Sequence, residues 1–145
     1  MLLLRSLLAA LTMVAVLLPN AAQAVSIMDP FNVPLAMDGG TSKVGDGIAY
    51  ADGARAKLDV YAPEQRGAPA PVVFFIYGGG WSRGERAEYE FVGRALASRG
   101  FVTVIADYRL YPEVRYPDFL EDGARALRWV QDNIANYGGD PSRLF

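Results

Sequence analysis

The sequence predicts an α/β fold with a mostly parallel sheet and an N-terminal antiparallel hairpin. Residues 72–77 and 101–106 are apolar on both faces, as strands buried inside a parallel sheet are. Each run is followed by a segment of helical period, at about 86–99 and about 118–137. Ahead of them, two short β-candidates flank Asp52-Gly53, a pair favoured in hairpin turns. Hairpin, then strand-helix-strand-helix-strand, is the order of a βαβ architecture.

The elements follow in chain order. Residues 1–24 combine Arg5, an apolar run of 12 from Leu7 to Leu18, the helix breaker Pro19 and the small-x-small site Ala22-Gln23-Ala24. That layout is a secretory signal peptide, so the expected location is periplasmic or secreted. The apolar run falls short of the roughly 20 residues a membrane span needs, so no span is expected after cleavage. Residues 25–42 carry Pro30, Pro34 and Gly39-Gly40 without periodicity and read as a strap or loop. Residues 47–50 and 57–61 are the hairpin strands, and Pro63 with residues 67–71 make an exposed connector. The first helix is expected to turn Tyr89, Val92, Ala95, Leu96 and Phe91 inward and to stop at Gly100. The second carries Leu120, Ala124, Ala126, Leu127, Val130, Ile134 and Tyr137 at helical spacing and ends at Gly138-Gly139. Leu144-Phe145 look like the start of another strand.

Composition narrows the function. The 145 residues are 52% hydrophobic, which suits one compact core. Fourteen Lys+Arg against 16 Asp+Glu leave a net charge of −2, so nothing points to nucleic acid. The chain has no Cys, which removes disulfides and thiol nucleophiles, and no His, which removes the commonest general base. A complete Ser-His-Asp triad therefore cannot lie within these residues.

Between strand and helix lies Tyr77-Gly78-Gly79-Gly80-Trp81. Such glycines suit a phosphate site at a helix N-terminus, or an oxyanion hole built from backbone N–H groups. The spacing disfavours phosphate. A dinucleotide loop would need glycine at Arg83, and a Walker loop would need lysine at Glu85. The oxyanion reading leads. A tight turn without a ligand, and a nucleotide fold with Asp107 as its ribose carboxylate, stay open.

Five segments then carry a resemblance. Tyr77-Gly78-Gly79-Gly80-Trp81 resembles the HGGGW loop of esterases and lipases of the α/β-hydrolase family. The block from Asp107 to Glu113 resembles that family's DYRLAPE block, and Tyr116-Pro117 with Glu121-Asp122 its helix entry. The stretch from Tyr137 to Arg143 is similar to its YGGDP segment, and that from Leu58 to Pro63 to its LDVYxP hairpin. The resemblance covers residues 50–145, and implies that residues 25–145 are the N-terminal part of such a domain, ending before its nucleophile elbow. It also implies serine-dependent hydrolysis of a small-molecule carboxylic ester, with no metal or organic cofactor. Gly79, Gly80 and Trp81, supported by Gly78, would supply oxyanion donors, joined by one after a serine outside this chain. The rival functions are an inactive or binding relative of the same fold, and a nucleotide-binding domain.

Tyr77 stands where the family usually has His, which implies a loop-organising role rather than that of a base. Gly80-Trp81-Ser82-Arg83-Gly84 matches G-x-S-x-G literally, but it sits one βαβ unit too early, and Ser82 has no His to activate it. Ser82 and Gly84 are expected to shape the helix start, Asp107 to hold the Arg109 loop, and Arg109 to pair with Asp122 or Glu113. Trp81 and Tyr77 are expected to line a substrate pocket or to be core. With a fifth strand only begun at Leu144, residues 72–77 are expected to form a bare, aggregation-prone edge.

Overall fold

A computed structural model of the protein describes residues 40–65 and 67–145. The expected signal peptide and most of the 25–42 strap lie outside the described residues. Five strands form one sheet: β1 (Thr41–Ala49), β2 (Lys57–Pro63), β3 (Ala70–Phe75), β4 (Val102–Ala106) and β5 (Gly139–Leu144). Their spatial order is β1-β2-β4-β3-β5. β1 and β2 form the antiparallel hairpin, β2 runs antiparallel to β4, and β3 lies parallel to both β4 and β5.

Alternation along β2 and β4 builds a core on each face of the sheet. Leu58, Val60, Ala62, Val102, Val104 and Ala106 face one way, against Ala126, Val130 and Ile134. The last three follow helical spacing along α2 (Asp118–Asn133) and the 3-10 turn Ile134–Tyr137 that extends it. Tyr61 and Ile105 face the other way, with Tyr77, Ala97 and Tyr108. This second face is covered by the 3-10 turn Arg86–Tyr89 and α1 (Glu90–Ala97). Burying a side chain such as Ile134 or Val104 completely contributes about 1.5–3 kcal/mol.

Several expectations need correction. The strap residues Thr41-Ser42 belong to β1, which bulges at two points to stay paired with β2. The expected strand 72–77 runs two residues earlier, because Ala70 pairs with Gly139 while Ile76 leaves the sheet and is 51% exposed. Only Val72 in β3 is fully buried, whereas all of β4 is. The residues of α1 that sink deepest are Gly93 and Ala97 rather than the larger stripe. Helix and sheet approach closely there: a Cβ on Gly93 would sit 2.6 Å from Tyr61 Cγ. In α2, Leu120 is 47% exposed and Ala124 is exposed, so they lie off the sheet-facing stripe. β5 starts at Gly139, not Leu144, and the β3 edge is not bare. Leu144 pairs with Val72, and Phe145 exchanges backbone hydrogen bonds with Val72 and Phe74 at 2.9 and 2.8 Å.

Candidate active site

β3 delivers the chain to its carboxyl end, where open α/β sheets bind ligands. The glycine loop follows immediately. Gly79 takes φ +137°, Gly80 +62° and Trp81 +62°, so three successive residues lie in conformations that L side chains rarely adopt. A bulky residue in that region is an outlier, and it persists only where its surroundings hold it. Trp81 is held firmly. Its ring stacks on Phe119 at 4.5 Å and tilts against Tyr108 at 5.3 Å, and its carbonyl accepts the Tyr111 N–H at 2.8 Å.

Carbonyls and amides of the loop are used differently. Gly79 O accepts both the N–H and the hydroxyl of Ser82, at 3.3 and 3.2 Å, which closes the turn. Among the described residues, the amides of Gly79, Gly80 and Trp81 have no acceptor. A cluster of unspent N–H donors at a strand end is what a developing oxyanion requires.

Tyr77 opens the loop and is buried at 2% exposure, so it is not a pocket residue. Its hydroxyl donates to Asp107 Oδ1 at 2.8 Å, and its ring lies between Tyr89 and Tyr108 at 5.2 and 4.8 Å. Tyr108 returns a hydrogen bond from its hydroxyl to Tyr77 O at 2.9 Å. Burial, and then the adjacent Asp107 charge, push the Tyr77 phenol well above its ordinary value. It remains neutral and cannot act as a base at ordinary pH.

Asp107 does not hold the Arg109 loop as expected. It faces the glycine loop instead, accepting the Arg86 N–H at 2.7 Å and Arg86 Nη1 at 2.5 Å as well as Tyr77. It therefore caps the 3-10 turn, the role expected of Ser82 and Gly84. Arg86 also donates from Nε to Asp59 Oδ1 at 2.8 Å, which joins two buried carboxylates across the sheet face. Arg109 chooses Asp122 over Glu113. Its backbone N–H and Nε reach Oδ2 at 3.0 and 2.8 Å, and Nη2 reaches Oδ1 at 2.8 Å. Arg125 adds a fourth bond at 2.5 Å. Burial raises the Asp122 pKa, but the hydrogen bonds from Arg109 and Arg125 prevail and hold it at about 2.

The predicted site residues therefore stay together only in part. Gly78, Gly79, Gly80 and Trp81 form one partly exposed loop. Trp81 also lines an apolar cavity of about 210 Å³ with Phe74, Ile76, Phe119 and Leu127. Ser82 is exposed, and its hydroxyl is spent on Gly79 O. Sequence reasoning missed Asp59, Arg86 and Arg55 as parts of the scaffold. Asp59 was detectable: it alternates with Leu58 and Val60 in a strand buried on both faces, and a buried carboxylate needs a cation. Among the described residues, no group of acidic side chains could hold a metal ion, and no helix is long and apolar enough to cross a membrane.

Comparison with known proteins places this geometry. Residues 58–145 match the model of the BD-FAE family. A probable isoprenylcysteine alpha-carbonyl methylesterase of Oryza sativa subsp. japonica is 38% identical over 105 residues, covering 72% of this chain and 25% of the relative. Carboxylesterase NlhH of Mycobacterium tuberculosis is 45% identical over 86 residues, covering 59% of this chain and 27% of the relative. Among solved structures, esterase B of Lactobacillus rhamnosis superposes with a TM-score of 0.67 at 28% identity, over 75% of this chain and 36% of that one. A bacterial heroin esterase gives 0.65 at 26% identity, over 79% and 38%. The chain thus spans about a quarter of the curated relatives it matches, and in each structure the shared part is an α/β-hydrolase sheet. With the family model covering more than half of its length, this chain belongs to the BD-FAE family and forms the N-terminal part of an α/β-hydrolase of the esterase type.

Proposed function

We propose that this chain supplies the oxyanion-hole half of an exported serine carboxylic ester hydrolase. The observation that carries the reading is the loop at the end of β3, where the Gly79 and Trp81 carbonyls are tied down while the amides of Gly79, Gly80 and Trp81 stay free. As a serine attacks an ester carbonyl, the oxygen gains negative charge, and preorganised N–H groups stabilise it more than they stabilise the ground state. A histidine base would have to come from sequence outside these residues, since the chain has no His, and the reading puts the nucleophile and the acid with it. Small-molecule esters are the substrate class, of which lipids are one subset, and residues 1–24 direct export. The relatives' esterase names support this reading.

The test compares two purified proteins on short acyl esters. The 145-residue chain, less its signal peptide, is expected to hydrolyse them no faster than buffer. The reading frame extended through a G-x-S-x-G elbow and a late His is expected to turn over and to be blocked by an organophosphate. Turnover by the shorter chain that disappears in Ser82→Ala would overturn the assignment and make Ser82 the nucleophile.

A further inference from the structure

The geometry points to Arg55 as a positioning residue of the glycine loop, acting through Tyr77 and Gly84; the inference rests on that loop being the oxyanion hole. Arg55 lies in the turn between β1 and β2, three residues before the segment that matches the family model. No motif in the sequence includes it. Its guanidinium nevertheless reaches across three elements. Nε donates to Tyr108 O at 2.8 Å, and Nη2 donates to the Tyr77 hydroxyl at 2.9 Å and to Gly84 O at 2.6 Å. The same nitrogen stands 3.7 Å from Asp107 Oδ1.

Tyr77 and Gly84 are the two ends of the loop that carries Gly79, Gly80 and Trp81. One planar cation therefore bridges the loop at its base and ties it to the carbonyl that follows β4 and Asp107. Arginine suits the task, because its fork is rigid and always charged, whereas a lysine would offer one compact ammonium for three directions. Tyr77 is the matching half. Its oxygen accepts from Arg55 while its proton goes to Asp107, so a single phenol links the cation to the carboxylate. Arg55 touches none of the three free amides. It sets where the two ends of their loop lie.

The test uses the active extended protein with 4-nitrophenyl butyrate, and reads amide hydrogen exchange in parallel. Arg55→Ala is expected to lower kcat about 10- to 100-fold with KM little changed, the usual result of displacing catalytic groups by about an ångström. Exchange is expected to quicken at the bonded amides of Ser82 and Tyr111, which close the loop and hold Trp81, and to stay unchanged in β4, and millimolar methylguanidinium is expected to restore part of kcat. Tyr77→Phe, which keeps the ring stack, is expected to loosen the same segment, and the double variant to lose less than the sum of the two. Unchanged kcat with unchanged exchange, or exchange that quickens equally across β4, would overturn the assignment. Should Arg55→Ala not fold, Arg55→Lys and Tyr77→Phe decide by the same readouts. Should the parent protein hydrolyse no ester, the proposed function fails, while the exchange comparison still decides whether Arg55 sets the loop.

Discussion

Alanine placed in turn at the three loop glycines separates their roles by amounts the geometry already fixes. At Gly78 the backbone is ordinary and a Cβ would meet nothing within 4 Å, so Gly78→Ala is expected to stay within about 0.5 kcal/mol of the parent in stability. At Gly80 the space is also open, but φ is +62°, and an L side chain there costs about 1–2 kcal/mol. Gly79 is different. Its φ of +137° is worse, and a Cβ would press on the Arg83 carbonyl oxygen and sit 3.0 Å from its carbon, so backbone rather than a flexible side chain must move. The displaced residue is itself a proposed donor, and losing one such donor costs about 2.7–4 kcal/mol of transition-state stabilisation. Gly79→Ala should therefore lose roughly 100- to 1,000-fold in kcat and Gly78→Ala almost nothing, while Gly80→Ala, with open space for its Cβ, loses about 1–2 kcal/mol of stability and less kcat than Gly79→Ala. Steady-state hydrolysis of a short acyl ester by the extended protein measures kcat and KM, with circular dichroism to match folded fractions. A Gly79→Ala enzyme with parental kcat would falsify the oxyanion assignment, and so would equal losses at all three positions.

Other expectations follow from packing and charge. Ser82→Ala in the extended protein should keep full activity, because the side chain only doubles a turn that the Ser82 N–H already closes; a lost burst of acylation would refute this. Gly93→Ala should destabilise by about 1–3 kcal/mol through overpacking against Tyr61, read as a lower urea midpoint. Ile134→Ala, at 0% exposure between α2 and the sheet, should cost about 2–5 kcal/mol by the same measurement. Asp122 titrates lower in the folded chain, from 3.8 to about 2, so its stabilisation is complete above pH 4 and fades as pH falls through about 2. Asp122→Asn should flatten that part of an acid-unfolding curve, and an unaltered curve would show that the Arg109 and Arg125 bonds do not matter to folding.

Local patterns made the sheet and both helices legible, while contacts between distant residues stayed hidden. The double-faced apolar run of β4 and the helical period of α2 are local signals, and both elements lie where the sequence puts them. The glycine loop was readable because three consecutive glycines after a strand have few structural uses. The α1 stripe misled because helix–sheet distance, not hydrophobicity, decides its deepest residues, and the small residues Gly93 and Ala97, four apart on one face, are the ones that reach the seam. β5 was placed late because Gly139-Asp140-Pro141-Ser142 has poor strand propensity, and its extended form is imposed by pairing with β3. Arg143 adds to that pairing by donating to Pro69 O. Arg55 and Arg86 were invisible as anchors, since their partners lie 21 to 53 residues away and meet them only through the register of β2 against β4.

The phenol at position 77 keeps its proton in the range where an imidazole would gain or lose one. An imidazole in the same place would change charge near pH 6.5, and its bond to Asp107 would become an ion pair in one half of the physiological range only. A buried tyrosine whose ionisation lies above its ordinary 10.0 keeps its own proton to beyond pH 10. Linkage then works in the opposite direction from a carboxylate. Stability from this group is complete below pH 10 and declines only as more alkaline solution ionises the unfolded chain first. The phenol thus adds no titration of its own to the loop below pH 10, which leaves the acid limb of any rate profile to the carboxylates around it and to whichever base completes the site.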